Sequence, residues 1–184
     1  GRVAVIDSER GSASLYAPPF AFDVLEITGN FDPQKYVEAI RDAATAGYAC
    51  VLIDSLTHAW AGVGGVLDIV DASKARVGGN SQRAWSVGTP RWQGLIDAML
   101  QAPIHVVATL RSKTRWVEED AGRGKKGFRR AGMEPVARDG IEYEERMDAL
   151  EDVTWPKPLA EMLELSLRTY RQRHPWVDPR DLSP

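Results

Sequence analysis

Polar side chains follow three apolar stretches of the sequence, at the points where buried strands would end. They are Asp7, Ser8 and Glu9 after the first stretch, Asp54 and Ser55 after the second, and Thr109, Arg111, Ser112 and Lys113 after the third. The carboxyl ends of parallel strands form one edge of a sheet, and ligands bind at that edge. Two acids that converge there with hydroxyl and cationic groups suit the transfer of a phosphoryl group to water. One acid holds Mg²⁺, another polarises the attacking water, and a polar group contacts the terminal phosphate.

Each of these residues alone also fits a structural role. An acid at the end of a strand is typical of a helix cap or a salt bridge at the rim of a sheet. Asp7 or Glu9 would suit the ribose of a dinucleotide, but no Gly-x-Gly-x-x-Gly motif precedes them. The three histidines are too dispersed in sequence to indicate a metal site. His58, four residues after Asp54, could face a phosphate, but packing within a loop is the favoured interpretation.

The strands that must position these side chains are apolar throughout rather than alternating. They are predicted at Arg2–Asp7, Phe22–Thr28, Ala49–Asp54 and Ile104–Leu110. Continuous apolar strands are typical of a parallel sheet that is covered on both faces. Because helical patterns separate the strands, the sequence predicts an α/β domain.

The helices are predicted from caps and apolar stripes. One begins at Pro33 after the capping residue Asp32, and a short one follows near Val66. A third is predicted to open at Thr89-Pro90 and a fourth to span about Lys157–Arg173. The glycine-rich stretches 78–88 and 121–140 are predicted to be binding loops, since they are too long for simple connections.

Composition sets broad limits. The chain has 184 residues, enough for one substantial core, and no apolar run long enough to span a membrane. Its one cysteine, Cys50, lies in an apolar strand, so no disulfide framework is predicted and a cytoplasmic location is expected. The chain enters a strand at once and lacks an initial methionine, which predicts an N-terminally incomplete segment.

The net charge of −3 is distributed unevenly. Residues 111–131 hold eight basic and three acidic side chains, a charge of +5, and the remainder carries −8. A basic segment on an acidic body suits a polyanion, whereas a solvated loop is the alternative interpretation. Predicted nucleic-acid contacts are Arg111, Lys113, Arg115, Lys125, Lys126, Arg129 and Arg130, with Trp116 as a platform for stacking a base.

The order of these segments resembles the RecA-like ATPase core, particularly the AAA-type recombination ATPases that phages encode. Val3–Ala13 is similar to the strand that carries the family's catalytic glutamate, which falls on Glu9. The run ending in Asp54-Ser55 is similar to Walker B, so the resemblance assigns Mg²⁺ to Asp54 and nucleotide contacts to both residues. Thr109 falls at the position of the polar phosphate sensor, and the basic segment occupies the place of a DNA-binding loop.

The resemblance implies a three-layer, mostly parallel RecA-like sheet with flanking helices over residues 1–144. Residues 145–184 are predicted to form a helical extension, to which the resemblance assigns no role. The resemblance further implies ATP and Mg²⁺ as cofactors and single-stranded DNA as the partner. It also implies a ring or filament of identical subunits. A phage origin, with action in the host cytoplasm, is part of the same expectation.

The family's phosphate loop is absent from the sequence and is expected ahead of Gly1. Without it, the chain alone is expected to bind ATP weakly or not at all. The alternative is a non-catalytic nucleic-acid-binding or assembly module that uses residues 111–131.

Overall fold

The structure, a computed structural model, describes residues 1–16, 20–120, 126–139 and 141. Lys125, the predicted fourth helix and the extension 145–184 therefore lie outside the described residues. The described strands are β1 (Val3–Asp7), β2 (Asp23–Glu26), β3 (Cys50–Asp54), β4 (His105–Ala108), β5 (Ser112–Asp120) and β6 (Lys126–Pro135). The helices are α1 (Pro33–Thr45), α2 (Thr57–Ala61), α3 (Val66–Arg76) and α4 (Ser81–Gln101), with a 3-10 turn at Ala13–Tyr16.

Four of the strands form one parallel sheet in the order β2-β1-β3-β4. They are the four strands that the sequence predicts, so the α/β class is confirmed. In the register of β1 and β3, Asp7 lies directly beside Asp54. The two acids that close these strands are therefore neighbours on one face of the sheet.

The main core lies between one face of the sheet and the helices. Ile6, Val51 and Ile53 point to this side, where they pack with α1, α3 and α4. On the other face, Val5 and Leu52 belong to a smaller buried cluster. All described helices longer than two turns contribute to the first face, and among them none is long and apolar enough to cross a membrane.

Helix α1 follows its sequence signals, whereas α4 does not. Asp32 caps α1 by accepting a hydrogen bond from the Gln34 amide at 2.9 Å. The prediction that the third helix opens at Thr89-Pro90 is wrong, because α4 begins at Ser81 and contains Pro90. Asn80 caps it instead, through the Arg83 amide at 3.0 Å, so most of the stretch 78–88 is helix rather than a binding loop.

The described part of the basic segment is strand rather than loop. Residues 112–120 and 126–135 pair as an antiparallel hairpin, and this corrects the predicted basic loop 111–131. Pairs of opposite charge tie the two strands together, as in Lys113 with Glu134 at 3.2 Å and Arg129 with Glu119 at 3.2 Å. The predicted loop is thus a two-stranded ribbon with two different faces.

Candidate active site

Three carboxylates meet at the carboxyl ends of β1 and β3. Asp7 is buried, and its two oxygens accept the backbone amides of Glu9 at 2.6 Å and Ala13 at 2.8 Å. These bonds turn the chain sharply after β1 and bring the Glu9 side chain back over the strand ends. Asp54 lies beside Asp7 and is joined to Ser55 by a cis peptide bond.

The Asp54 carboxylate is held by one hydroxyl and is otherwise in an unfavourable position for a charge. Thr109 Oγ1 donates to Asp54 Oδ1 at 2.7 Å. Burial raises the pKa of Asp54, and the nearby charges of Glu9 and Asp7 raise it further against the opposing effects of Thr109 and Arg111. A carboxylate destabilised by two like charges is a place where a cation would be stabilised.

Glu9 has the opposite electrostatic environment. Arg111 donates to both carboxylate oxygens of Glu9, with Nε at 2.9 Å from Oε1 and Nη2 in contact with Oε2. Ser55 Oγ donates to Oε1 at 2.8 Å, and His58 Nδ1 lies 3.5 Å from the same atom. Burial alone raises the pKa of Glu9, but Arg111, Ser55 and His58 outweigh it, so the pKa lies below its usual range.

Ser8 and His58 complete the cluster, although neither was predicted as a site residue. Ser8 Oγ donates to the Ser55 carbonyl at 2.9 Å, accepts the Ser55 amide at 3.0 Å and lies 3.1 Å from His58 Nδ1. The Phe31 ring stacks on His58 with 4.8 Å between centroids. His58 was predicted to pack within a loop; it lies in α2 and joins the site.

The predicted site residues therefore lie together, with one change of role. Ser55 donates a hydrogen bond to Glu9, and Thr109 donates one to Asp54, the residue that precedes Ser55. Arg111 was predicted to contact nucleic acid, and it binds Glu9 instead. The sequence shows that Arg111 carries a positive charge, but only the fold shows that its side chain points to the carboxylates.

The cluster offers few free carboxylate oxygens to a metal ion, so it would suit only a cation that takes most of its ligands from elsewhere. Within the described ranges, no group of three or more His, Cys, Asp or Glu side chains has the geometry of a complete metal site. Asp7 is engaged by backbone amides and Glu9 by Arg111, which leaves Asp54 as the carboxylate for a cation. Mg²⁺ in nucleotide sites commonly uses one or two carboxylates and completes its shell with substrate and water.

The other predicted nucleic-acid contacts lie on the hairpin. Lys113 and Arg115 face Glu134, at 3.2 and 4.0 Å, and Arg129 faces Glu119. Trp116 is 61% exposed. For Lys126 the structure describes the backbone only, as part of β6. The strands hold five basic and four acidic residues, so the ribbon is less positive than the whole segment 111–131.

Part of the chain is similar to a family model that carries no assigned activity. The family model for a domain of unknown function, DUF3516, matches residues 96–184. The matched region begins in α4 and includes β4 and the hairpin, but not Glu9 or Asp54. No curated protein matches the chain.

Proposed function

We propose that the carboxylate cluster is part of a RecA-like ATP-hydrolysing site, and that the protein acts on single-stranded DNA in recombination or annealing. The observation that carries the proposal is the placement of Asp7 beside Asp54, with Glu9 within hydrogen-bonding distance of Ser55 at the same strand ends. Open parallel sheets bind ligands at this edge. Burial and the nearby charges of Glu9 and Asp7 raise the pKa of Asp54, which supports a role for a cation beside it.

In this proposal each residue has a separate task. Bound Mg²⁺ would neutralise charge on the nucleotide phosphates, with Asp54 as its protein ligand. Thr109 fixes the Asp54 carboxylate through Oδ1. Glu9 orients the attacking water and accepts its proton, while Ser55 holds Oε1 in place.

Arg111 must move before Glu9 can act as a base. Both Glu9 oxygens face its guanidinium, and a lowered pKa makes a carboxylate a weaker proton acceptor. The described arrangement thus corresponds to a resting site. DNA bound to the hairpin and the assembly of subunits into a ring or filament are the proposed events that draw Arg111 away.

Hydrolysis of ATP is the test. The chain is joined to a segment that carries a phosphate loop ahead of Gly1, and phosphate release is measured with and without Mg²⁺, each in the presence and absence of single-stranded DNA. Glu9→Gln should lower the rate by at least about a hundredfold, the usual contribution of a general base. Glu38→Gln, on the exposed side of α1, removes the same charge outside the site and should leave the rate unchanged. An equal rate in Glu9→Gln would remove Glu9 from the mechanism.

The ion pair between Arg111 and Glu9 also favours a second candidate function, that of a non-catalytic binding or assembly module. A carboxylate that is permanently paired with arginine is a structural group rather than a base. Under this alternative, Glu9→Gln changes stability, and no Mg²⁺-dependent hydrolysis appears in any variant.

A further inference from the structure

The β5–β6 hairpin exposes two aromatic rings and a methionine side chain on one face. Its strands contact each other extensively and the other described elements only sparsely. Trp116, Phe128 and Met133 are 61%, 69% and 53% exposed. A projecting ribbon has no core in which to bury such side chains, and exposed apolar patches of this kind mark binding surfaces.

A β-bulge brings these side chains to one face. Thr114 and Trp116 are two residues apart in β5 and therefore share a side of the ribbon. Their cross-strand partners in β6, Met133 and Arg130, are three residues apart, and the register shifts between them. Gly132, with φ of +104°, accommodates the extra residue. Met133 consequently lies beside Arg130, with 3.8 Å between Sδ and Nη2.

The opposite face is charged and largely neutralised by its own pairs. Arg129 pairs with Glu119, and Lys113 pairs with Glu134. Cations that already have carboxylate partners contribute less to binding a phosphate chain. The side that carries Trp116 and Phe128 also carries Glu118, across from Phe128, but its exposed rings and Arg130, across from Trp116, make it the better surface for stacking.

We propose that the face formed by Trp116, Phe128, Arg130 and Met133, here called the aromatic face, binds unpaired bases of single-stranded nucleic acid by stacking. This rests on the nucleic-acid part of the proposed function and specifies how the partner is held. Trp116 pairs with Arg130, so Phe128 is its diagonal neighbour, at the about 7–8 Å usual for such positions.

Two rings at this spacing can each receive one base of a strand whose bases no longer stack on one another. Base stacking on aromatic rings tolerates any sequence, and the Arg130 cation lies where it can meet a phosphate or a base plane. In a duplex, neighbouring base pairs cover the base faces. The aromatic face therefore selects single strands over duplexes.

The experiment uses the chain as it is, without nucleotide or Mg²⁺. Fluorescence anisotropy measures the Kd for three probes: an oligo(dT) of about 16 nucleotides, a length typical of single-strand sites, a duplex of equal length, and an abasic oligomer that has only the sugar–phosphate chain. Trp116→Ala and Phe128→Ala should each weaken oligo(dT) binding by at least about fivefold, the lower end for one stacked base.

Matched variants make the result specific. Val117→Ala shortens an apolar side chain on the opposite face of the same ribbon, and its Kd should stay that of the wild type. Trp116→Phe keeps an aromatic ring and should retain most of the affinity. Neither alanine variant should change binding of the abasic oligomer. Circular dichroism verifies the fold, which should persist because both rings are exposed.

Three results would overturn the proposal. They are an unchanged Kd in both alanine variants, an equal loss of affinity for the abasic oligomer, and no binding of any probe by the wild type. If self-association that Phe128→Ala abolishes accompanies the last result, the face is a protein contact instead. Salt-dependent binding without any effect of the rings would refute stacking yet keep nucleic acid as the partner. The Glu9 experiment also measures hydrolysis without DNA, so a failure of stacking can be distinguished from a failure of the proposed hydrolytic site.

Discussion

Asp7, Glu9 and Asp54 lie together at the strand ends, yet the surroundings of each carboxylate differ. Backbone amides hold Asp7, and the guanidinium of Arg111 holds Glu9. Asp54 has one hydroxyl partner and two like charges nearby, and its pKa is raised. The fold therefore tolerates a charge at Asp54 at a cost in stability, which is a common property of functional sites.

Replacing Asp54 by asparagine should stabilise the protein. The folded-state pKa of Asp54 is above its unfolded value, so its charge destabilises the fold at pH values above the folded pKa. This penalty disappears as the pH falls through that pKa, because the carboxyl is then protonated. At neutral pH, urea unfolding of Asp54→Asn should show a gain on the order of 1 kcal/mol.

The control for this prediction is Asp97→Asn, which removes one negative charge on the exposed side of α4. Its stability should stay close to that of the wild type at every pH. A gain for Asp54→Asn that persists unchanged at acidic pH would contradict the electrostatic explanation, since the wild-type side chain is neutral there.

At the scale of elements, α3 and α4 approach closely at a glycine. A Cβ atom on Gly88 would lie 2.3 Å from Val70 Cγ2. Valine is stiff in a helix, so it cannot turn away easily. Gly88→Ala should therefore destabilise the protein by roughly 1–3 kcal/mol, the usual effect of overpacking, as measured by urea unfolding.

Gly94 in the same helix provides the matched control. Nothing lies within 4 Å of a Cβ atom built there. Gly94→Ala should stabilise α4 by about 1 kcal/mol through helix propensity alone. Opposite signs at the two positions would confirm the close packing, whereas stabilisation at both would exclude a tight contact at Gly88.

The same helix shows what the sequence could and could not predict. The strands and α1 were predictable because their signals are local: continuous apolar runs, and Asp32 before Pro33. Pro90 favours a helix start, but burial of Ala84 and Gly88 against α3 extends α4 towards Asn80. That packing depends on residues distant in sequence, so no local pattern predicts that α4 begins after Asn80.

The hairpin was missed for a different reason. The bulge at Gly132 interrupts the alternation that would identify β6. Phe128 and Met133 are five residues apart and yet share a face, whereas regular alternation would place them on opposite faces. In the site, the strand ends predicted that Glu9, Asp54 and Thr109 meet, but the direction of the Arg111 side chain depends on how the hairpin leaves the sheet.

At the scale of the whole molecule, Arg111 connects the hairpin to the carboxylates. It directly precedes β5, and its carbonyl accepts the Val136 amide just after β6 at 2.7 Å. Its own amide donates to Thr57 Oγ1 at 2.9 Å, while its guanidinium binds Glu9. The base of the hairpin is thus attached both to α2 and to the candidate catalytic residue.

Glu9→Gln should therefore loosen the base of the hairpin, more than 100 residues away in sequence. A partly exposed, hydrogen-bonded ion pair contributes on the order of 1 kcal/mol. Its loss should speed hydrogen exchange of the Arg111 and Val136 amides by roughly fivefold, since local opening sets the exchange rate. Amides within β5 and β6 should keep their protection, because the strands hold each other.

Glu119→Gln is the control, since it breaks the pair with Arg129 inside the ribbon and should leave the base unchanged. Equal protection of Arg111 and Val136 in wild type and Glu9→Gln would show that the hairpin and the carboxylate cluster are independent.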